Sequence, residues 1–264
     1  MNVRVHWILL AAIACAIAAG YYFWQQSGIG APQAVPAAPP EVAPKPEAKP
    51  AHGIQFPLPR AGDPGSLPVL DQSDTSMRTS LASLFGRGVF EEYFSPQNII
   101  RRIVATVDNL PREKVAQRLM PVKPAGGPLV LAGEGENRVL GDGNAARYLP
   151  YVAMAESVDV GKLVAAYVHF YPLFQQAYME LGYPSGYFND RLVQVIDHLL
   201  AAPEIEGPVA LVQRKVLYEF ADPELEARSA GQKILMRIGP GNAARIMARL
   251  RDIRRELTSQ PSKP

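Results

Sequence analysis

The side chains that carry out chemistry in proteins are few and scattered along this chain. Its four histidines, His6, His52, His169 and His198, include no pair three to five residues apart. The helical zinc-peptidase arrangement, which needs two imidazoles on one face, is therefore missing. The single cysteine, Cys15, excludes an intramolecular disulfide and any metal site built on several thiolates. There is no G-x-S-x-G elbow and no S-x-x-K. The nearest serine turn, Gly182-Tyr183-Pro184-Ser185-Gly186, lacks the spacing that raises a nucleophile on a tight strand-to-helix turn. Asp197 and His198 are adjacent, but neighbours on a helix diverge by about 100°, so they cannot form an oriented dyad. His169 and Glu180 are a second acid–base candidate, meeting across a bend at Pro172, with a solvated histidine as the competing reading. No catalytic residue, metal or cofactor is assigned from these patterns.

Two patterns suit binding better than catalysis. Residues 167–188 hold eight of the 22 aromatic residues. Tyr167, Tyr171, Phe174 and Tyr178 keep helical spacing and read as a core stripe. Tyr183, Tyr187 and Phe188 follow in a Gly/Pro loop and are the rings expected to face a glycan or peptide. The last helix places Arg245, Arg249, Arg251, Arg254 and Arg255 against only Asp252 and Glu256. Arg245, Arg249 and Arg254 are the candidate contacts to anionic lipid, wall polymer or an acidic partner. A solvated helix face whose arginines complement the dipole is the alternative.

The elements that must position these residues are mainly helical. Met77, Leu81, Leu84 and Phe85 share a face behind N-caps offered by Asp71 to Asp74. Ser95-Pro96 should start a second helix carrying Ile99, Ile100, Ile103, Val104 and Val107, and Pro111 should stop it. A third stripe runs from Val160 to Leu181 with a kink or break expected at Pro172. Asn189 or Asp190 should cap a helix bearing Leu192, Ile196, Leu199 and Leu200. Residues 128–132 with 139–140, and 209–212 with 216–220, read as two small hairpins. Asp222-Pro223 opens a helix reaching Arg237, and Asn242 is expected to cap the last one after Gly239-Pro240-Gly241.

Gly141-Asp142-Gly143-Asn144-Ala145-Ala146-Arg147 repeats at 239–245 with six of seven residues identical. Both copies read as helix starts, glycine turn plus Asn cap. Each also fits G-x-G-x-x-A, a dinucleotide fingerprint that needs a strand before it and an alternating strand–helix context.

Ahead of this domain, Trp7 to Trp24 is a run of eighteen uncharged residues. As a helix it covers about 27 Å, close to the hydrocarbon thickness of a bilayer. Arg4 and the Met1 amine precede it, no Lys or Arg occurs from Gln25 to Pro44, and Tyr21, Tyr22, Phe23 and Trp24 close it as an aromatic belt. The expected organisation is a cytoplasmic stub (1–6), a transmembrane anchor (7–24), a proline-rich spacer (25–66), one mainly α extracytoplasmic domain with one or two small β-hairpins (67–258) and a tail (259–264). A cleaved signal peptide and a lipoprotein at Cys15 are the competing readings. Motifs such as Phe56-Pro57-Leu58-Pro59 favour extended geometry and mark a spacer or a recruiting sequence. Between Leu67 and Thr258 there are 22 basic and 22 acidic residues, a balance unsuited to nucleic acid.

Five blocks carry a family resemblance: Arg101 to Pro111, Arg147 to Tyr151, Tyr171 to Tyr178, Tyr187 to Arg191 and Ala230 to Lys233. On these residues the chain resembles a bacterial family catalogued as domain of unknown function 3014. The resemblance implies a bacterial envelope protein with an N-terminal anchor; the topology read above then puts the anchor in the inner membrane, with the N-terminus cytoplasmic and the domain periplasmic. The resemblance implies no activity and no site residues. The resulting expectation is a binding or scaffold module for an envelope protein or cell-wall component, with a membrane-anchored periplasmic hydrolase as the alternative.

Overall fold

The computed structural model of the protein describes residues 53–59, 67–135, 137–214 and 217–259, all within one unit. The apolar run 7–24 and the spacer as far as residue 52 lie outside the described residues. No described helix is long and apolar enough to cross a membrane.

Secondary structure is mainly helical with two small antiparallel sheets. Helix α1 (Asp74–Phe85) buries Met77 and Leu81, four residues apart on one face. Gly86, at φ 90°, turns the chain into α2 (Arg87–Tyr93), whose Phe90 stacks on Phe94. Helix α3 (Ile99–Asn109) starts later than Ser95-Pro96 suggested. Its N-cap Asn98 is left-handed at φ 52°, and the capping oxygens come from α1: Asp74 accepts from the amides of Asn98 (2.8 Å) and Ile99 (2.9 Å). Asp74 thus caps a helix distant in sequence, not its own.

Helix α4 (Gly143–Ser157) precedes α5 (Val160–Glu180), which runs through Pro172 as one element. Asp159 caps α5 by accepting from Lys162 N at 2.8 Å. The predicted stripe is inside: Val164, Phe174 and Tyr178 are buried, and only its end residue Leu181 is exposed. Helix α6 (Phe188–Leu200) starts on Phe188, whose ring is parallel to that of Phe174 at 5.8 Å. These rings join Ile99, Ile100 and Val104 of α3 in the main core. Full burial of each such side chain contributes about 2–3 kcal/mol. Between α1, α3, α5 and α6 remains an apolar cavity of about 220 Å³.

Both hairpins form. Strand β1 (Leu131–Ala132) pairs with β2 (Val139–Leu140), and β3 (Leu211–Arg214) with β4 (Leu217–Phe220), Leu211 opposite Phe220. The amides of Leu140 and Leu211 link the hairpins through Val209 O and Arg138 O, both at 2.8 Å. The helix expected from Pro223 to Arg237 is two, α7 (Pro223–Glu226) and α8 (Ala230–Arg237), because Ser229 caps anew by accepting from Gln232 N. Helix α9 (Pro240–Thr258) then packs on α4, α5, α6 and α8.

Residues 53–59, read from sequence as spacer, lie against this domain. Phe56 and Leu58 pack on Val164, Val193, Ile196 and Leu257. Asp190 accepts from the amides of Gln55 (3.0 Å) and Phe56 (2.9 Å), and Asn189 Nδ2 donates to Phe56 O at 2.7 Å. Neither Asn189 nor Asp190 caps α6, whose N-cap is Tyr187 without a side-chain bond.

Candidate functional site

The two copies of the echo come together in space. In the first, buried Asn144 accepts from Val130 N at 3.0 Å while its amide donates to Val130 O and to Gly141 O, 2.9 Å away. In the second, Asn242 Nδ2 donates to Ile238 O (2.9 Å) and to Ala145 O (2.8 Å), inside the first copy. Neither Asn is the expected N-cap. Those positions belong to Asp142 and Gly239, and each Asn instead ties its helix start to a neighbouring segment. Gly239 has φ 90°, and a Cβ there would lie 3.1 Å from that of Ala145. The positive φ requires glycine, and the close approach favours it. Strand β2 precedes the first copy, but in a two-residue antiparallel hairpin. No parallel sheet of the dinucleotide-binding kind occurs among the described residues.

Where the copies meet, with β2, residues 203–209 and the end of α8, the surface opens into a cleft of about 990 Å³. Its floor is apolar and includes Leu140, Leu235, Met236 and Met247, and exposed Asp142, Glu204 and Glu206 give it an acidic rim. Arg237, also on the lining, is engaged: Nη2 donates to Tyr218 O at 3.3 Å and the guanidinium lies 5.0 Å from the Phe220 ring centroid. Gly241 is exposed, and a Cβ there would meet nothing within 4 Å.

A second polar centre is internal. Asp108, at the end of α3, is 1% exposed and accepts from Arg112 Nη2 (2.6 Å), Arg191 Nε (3.0 Å) and the Tyr183 hydroxyl (3.1 Å). Arg191 Nη2 also donates to the Asp108 carbonyl at 2.9 Å. This knot ties α3 to the start of α6 and to the Tyr183 loop. Its bonds are mutually saturating, which is the pattern of a structural pin.

The binding residues read from sequence are mostly committed internally. Tyr183 stacks on Tyr178 at 4.6 Å and bonds to Asp108. Phe188, expected in an exposed loop, is 1% exposed and belongs to the core, because it begins α6 on its inner face. Tyr187 alone of the three is exposed, at 37%. Arg245 forms a two-pronged pair with Glu156 of α4, and this bond raises the arginine pKa and lowers that of the glutamate. Arg254 grips Asp197 of α6, which raises its own pKa. Arg249 donates to the carbonyls of Ala155 (3.1 Å) and Val158. The three arginines brace α9 against α4 and α6 instead of forming a free basic face.

The catalytic pairs are likewise apart. Asp197 turns to Arg254 while His198 Nε2 lies 2.8 Å from Ser229 Oγ, a contact no sequence spacing announced. The amides that follow this serine are not free to serve an oxyanion: those of Ala230, Gly231 and Gln232 bond to Arg112 O, Leu110 O and Ser229 Oγ. His169 is exposed and eleven residues from Glu180 on one helix, about 16 Å of rise, and Glu180 is bound by Arg101 and Gln176. Among the described residues no three His, Cys, Asp or Glu side chains are grouped to hold a metal.

Fold and cleft together define a mainly helical domain edged by two antiparallel hairpins. Residues 99–254 match the family described as Protein of unknown function (DUF3014), and the chain belongs to that family. Comparison with curated proteins and with solved structures gives no match. The matched stretch contains the Asp108 knot and the whole lining of the cleft, and leaves out residues 53–59.

Proposed function

We propose that the protein is a single-pass inner-membrane protein, anchored through residues 7–24, whose periplasmic domain is a binding or scaffold module for an envelope protein or cell-wall component. The anchor rests on the uncharged run and its flanking charges. The binding role rests on the cleft between the echo loops, whose volume and largely apolar floor suit a ligand or peptide segment. Its acidic rim disfavours phosphate backbones and favours a neutral or amine-bearing partner.

Gly241→Phe tests this reading, since Gly241 lines the cleft and a Cβ there would meet nothing within 4 Å. Crosslinking in intact cells should capture a discrete partner or wall fragment with the unaltered chain and lose it with Gly241→Phe. Identical capture by both chains would remove the cleft from the function. The second reading, a carboxylate hydrolase, is favoured by Asp142, Glu204 and Glu206 on the rim. Exchanging these for Asn and Gln should abolish turnover of wall glycan if it is an enzyme; if it is a binder, capture should persist, weakened only for an amine-bearing partner.

A further inference from the structure

The contacts holding residues 53–59 are those of a peptide-binding groove. The three bonds from Asn189 and Asp190 go to main-chain atoms: Asp190 takes the amides of Gln55 and Phe56, and Asn189 donates to Phe56 O. Such bonds are available to any extended polypeptide. Selection comes from the side chains, because Phe56 and Leu58, two residues apart, enter the apolar cluster of Val164, Val193, Ile196 and Leu257. Pro57 between them needs no amide partner and favours the extended form.

The fit is partial on the strap side and complete on the groove side. Phe56 and Leu58 are only half-buried and Ile54 is 47% exposed, so the strap is held by little surface. Asn189, by contrast, is 1% exposed. Its oxygen is engaged by the Tyr167 hydroxyl at 3.3 Å, and its amide depends on Phe56 O. Withdrawing the strap removes the protein acceptor of this amide, which any other main-chain carbonyl laid along the groove can replace. Asn189 and Asp190 lie inside the family match at 99–254 and the strap lies outside it.

We propose that this groove is a peptide-exchange site, filled here by the chain's own residues 54–59, which takes in their place an extended apolar-Pro-apolar-Pro segment of a partner polypeptide. The site is separate from the cleft, so Gly241→Phe should leave the exchange untouched while abolishing the capture proposed above.

The probe is a labelled synthetic peptide of residues 53–60, titrated against the full chain in detergent and followed by fluorescence anisotropy. Phe56→Ala with Leu58→Ala weakens the internal occupant. That chain should bind the peptide about ten-fold or more tightly than the unaltered one, because a tethered competitor acts at roughly millimolar effective concentration. Adding Asp190→Ala should abolish binding. In the unaltered chain, excess peptide should speed hydrogen exchange at the Gln55 and Phe56 amides. Equal affinity for both chains, binding that survives Asp190→Ala, or no binding together with unchanged exchange overturns the proposal.

Discussion

Asp108 illustrates how one side chain can hold distant parts of a fold. Its carboxylate is 2% exposed and accepts from two guanidiniums and a phenol drawn from three segments. Removing it strands Arg191 Nε and the Tyr183 hydroxyl without their acceptor. Asp108→Ala should therefore cost about 3–5 kcal/mol of unfolding free energy, the usual penalty for breaking a buried pair from one side. The Arg112 side chain is 54% exposed, so Arg112→Ala should cost only about 0–1 kcal/mol. Urea unfolding of the two variants separates these outcomes. Equal losses would mean that the knot is not what joins α3 to α6.

At the scale of elements, α5 shows a pH dependence that follows from its packing. Burial raises the hydroxyls of Tyr171 and Tyr178 from 10.0 to about 12. The folded state thus favours the neutral phenol. Its stabilising contribution is complete below pH 10, where the unfolded tyrosines titrate, and is lost as pH rises through about 12. The melting temperature should fall progressively across that window, and the tyrosinate absorbance of these two residues, read as the difference from a chain carrying Tyr171→Phe and Tyr178→Phe, should appear late, with unfolding. Early ionisation of these two at full stability would contradict the packing of this helix. The stripe Val164, Phe174 and Tyr178 was legible in advance because helical period and burial are local properties of a sequence. Helix starts were less so. Asp74 caps α3 across 24 residues, and Asn189 and Asp190 serve residues 55 and 56 instead of their own helix. Residue types suited to capping are visible in a sequence, but the segment they serve depends on tertiary contact. For the same reason the echo was visible as two helix starts, whereas their meeting at the cleft was not. The arginines of α9 were visible as a charged face, and their partners Glu156 and Asp197 were hidden by distance along the chain.

For the whole molecule, the decisive proposal concerns where the domain works. Eighteen uncharged residues from Trp7 to Trp24 suffice for about 27 Å of helix, and the cationic groups ahead of them are the ground for proposing that end in the cytoplasm. The domain is formally neutral, so its own charge gives it little electrostatic attraction to an anionic bilayer. Association should therefore depend on the run alone. Deleting residues 1–24 should move the chain from the membrane fraction to the soluble one, and high salt should leave the intact chain in the membrane. Protease added to spheroplasts should cleave the domain of the intact chain, and a reporter at its C-terminus should behave as periplasmic. A deleted chain that still sediments with membranes would assign attachment to the domain surface. A protected domain would reverse the orientation and place the cleft and the peptide groove in the cytosol, away from any wall polymer.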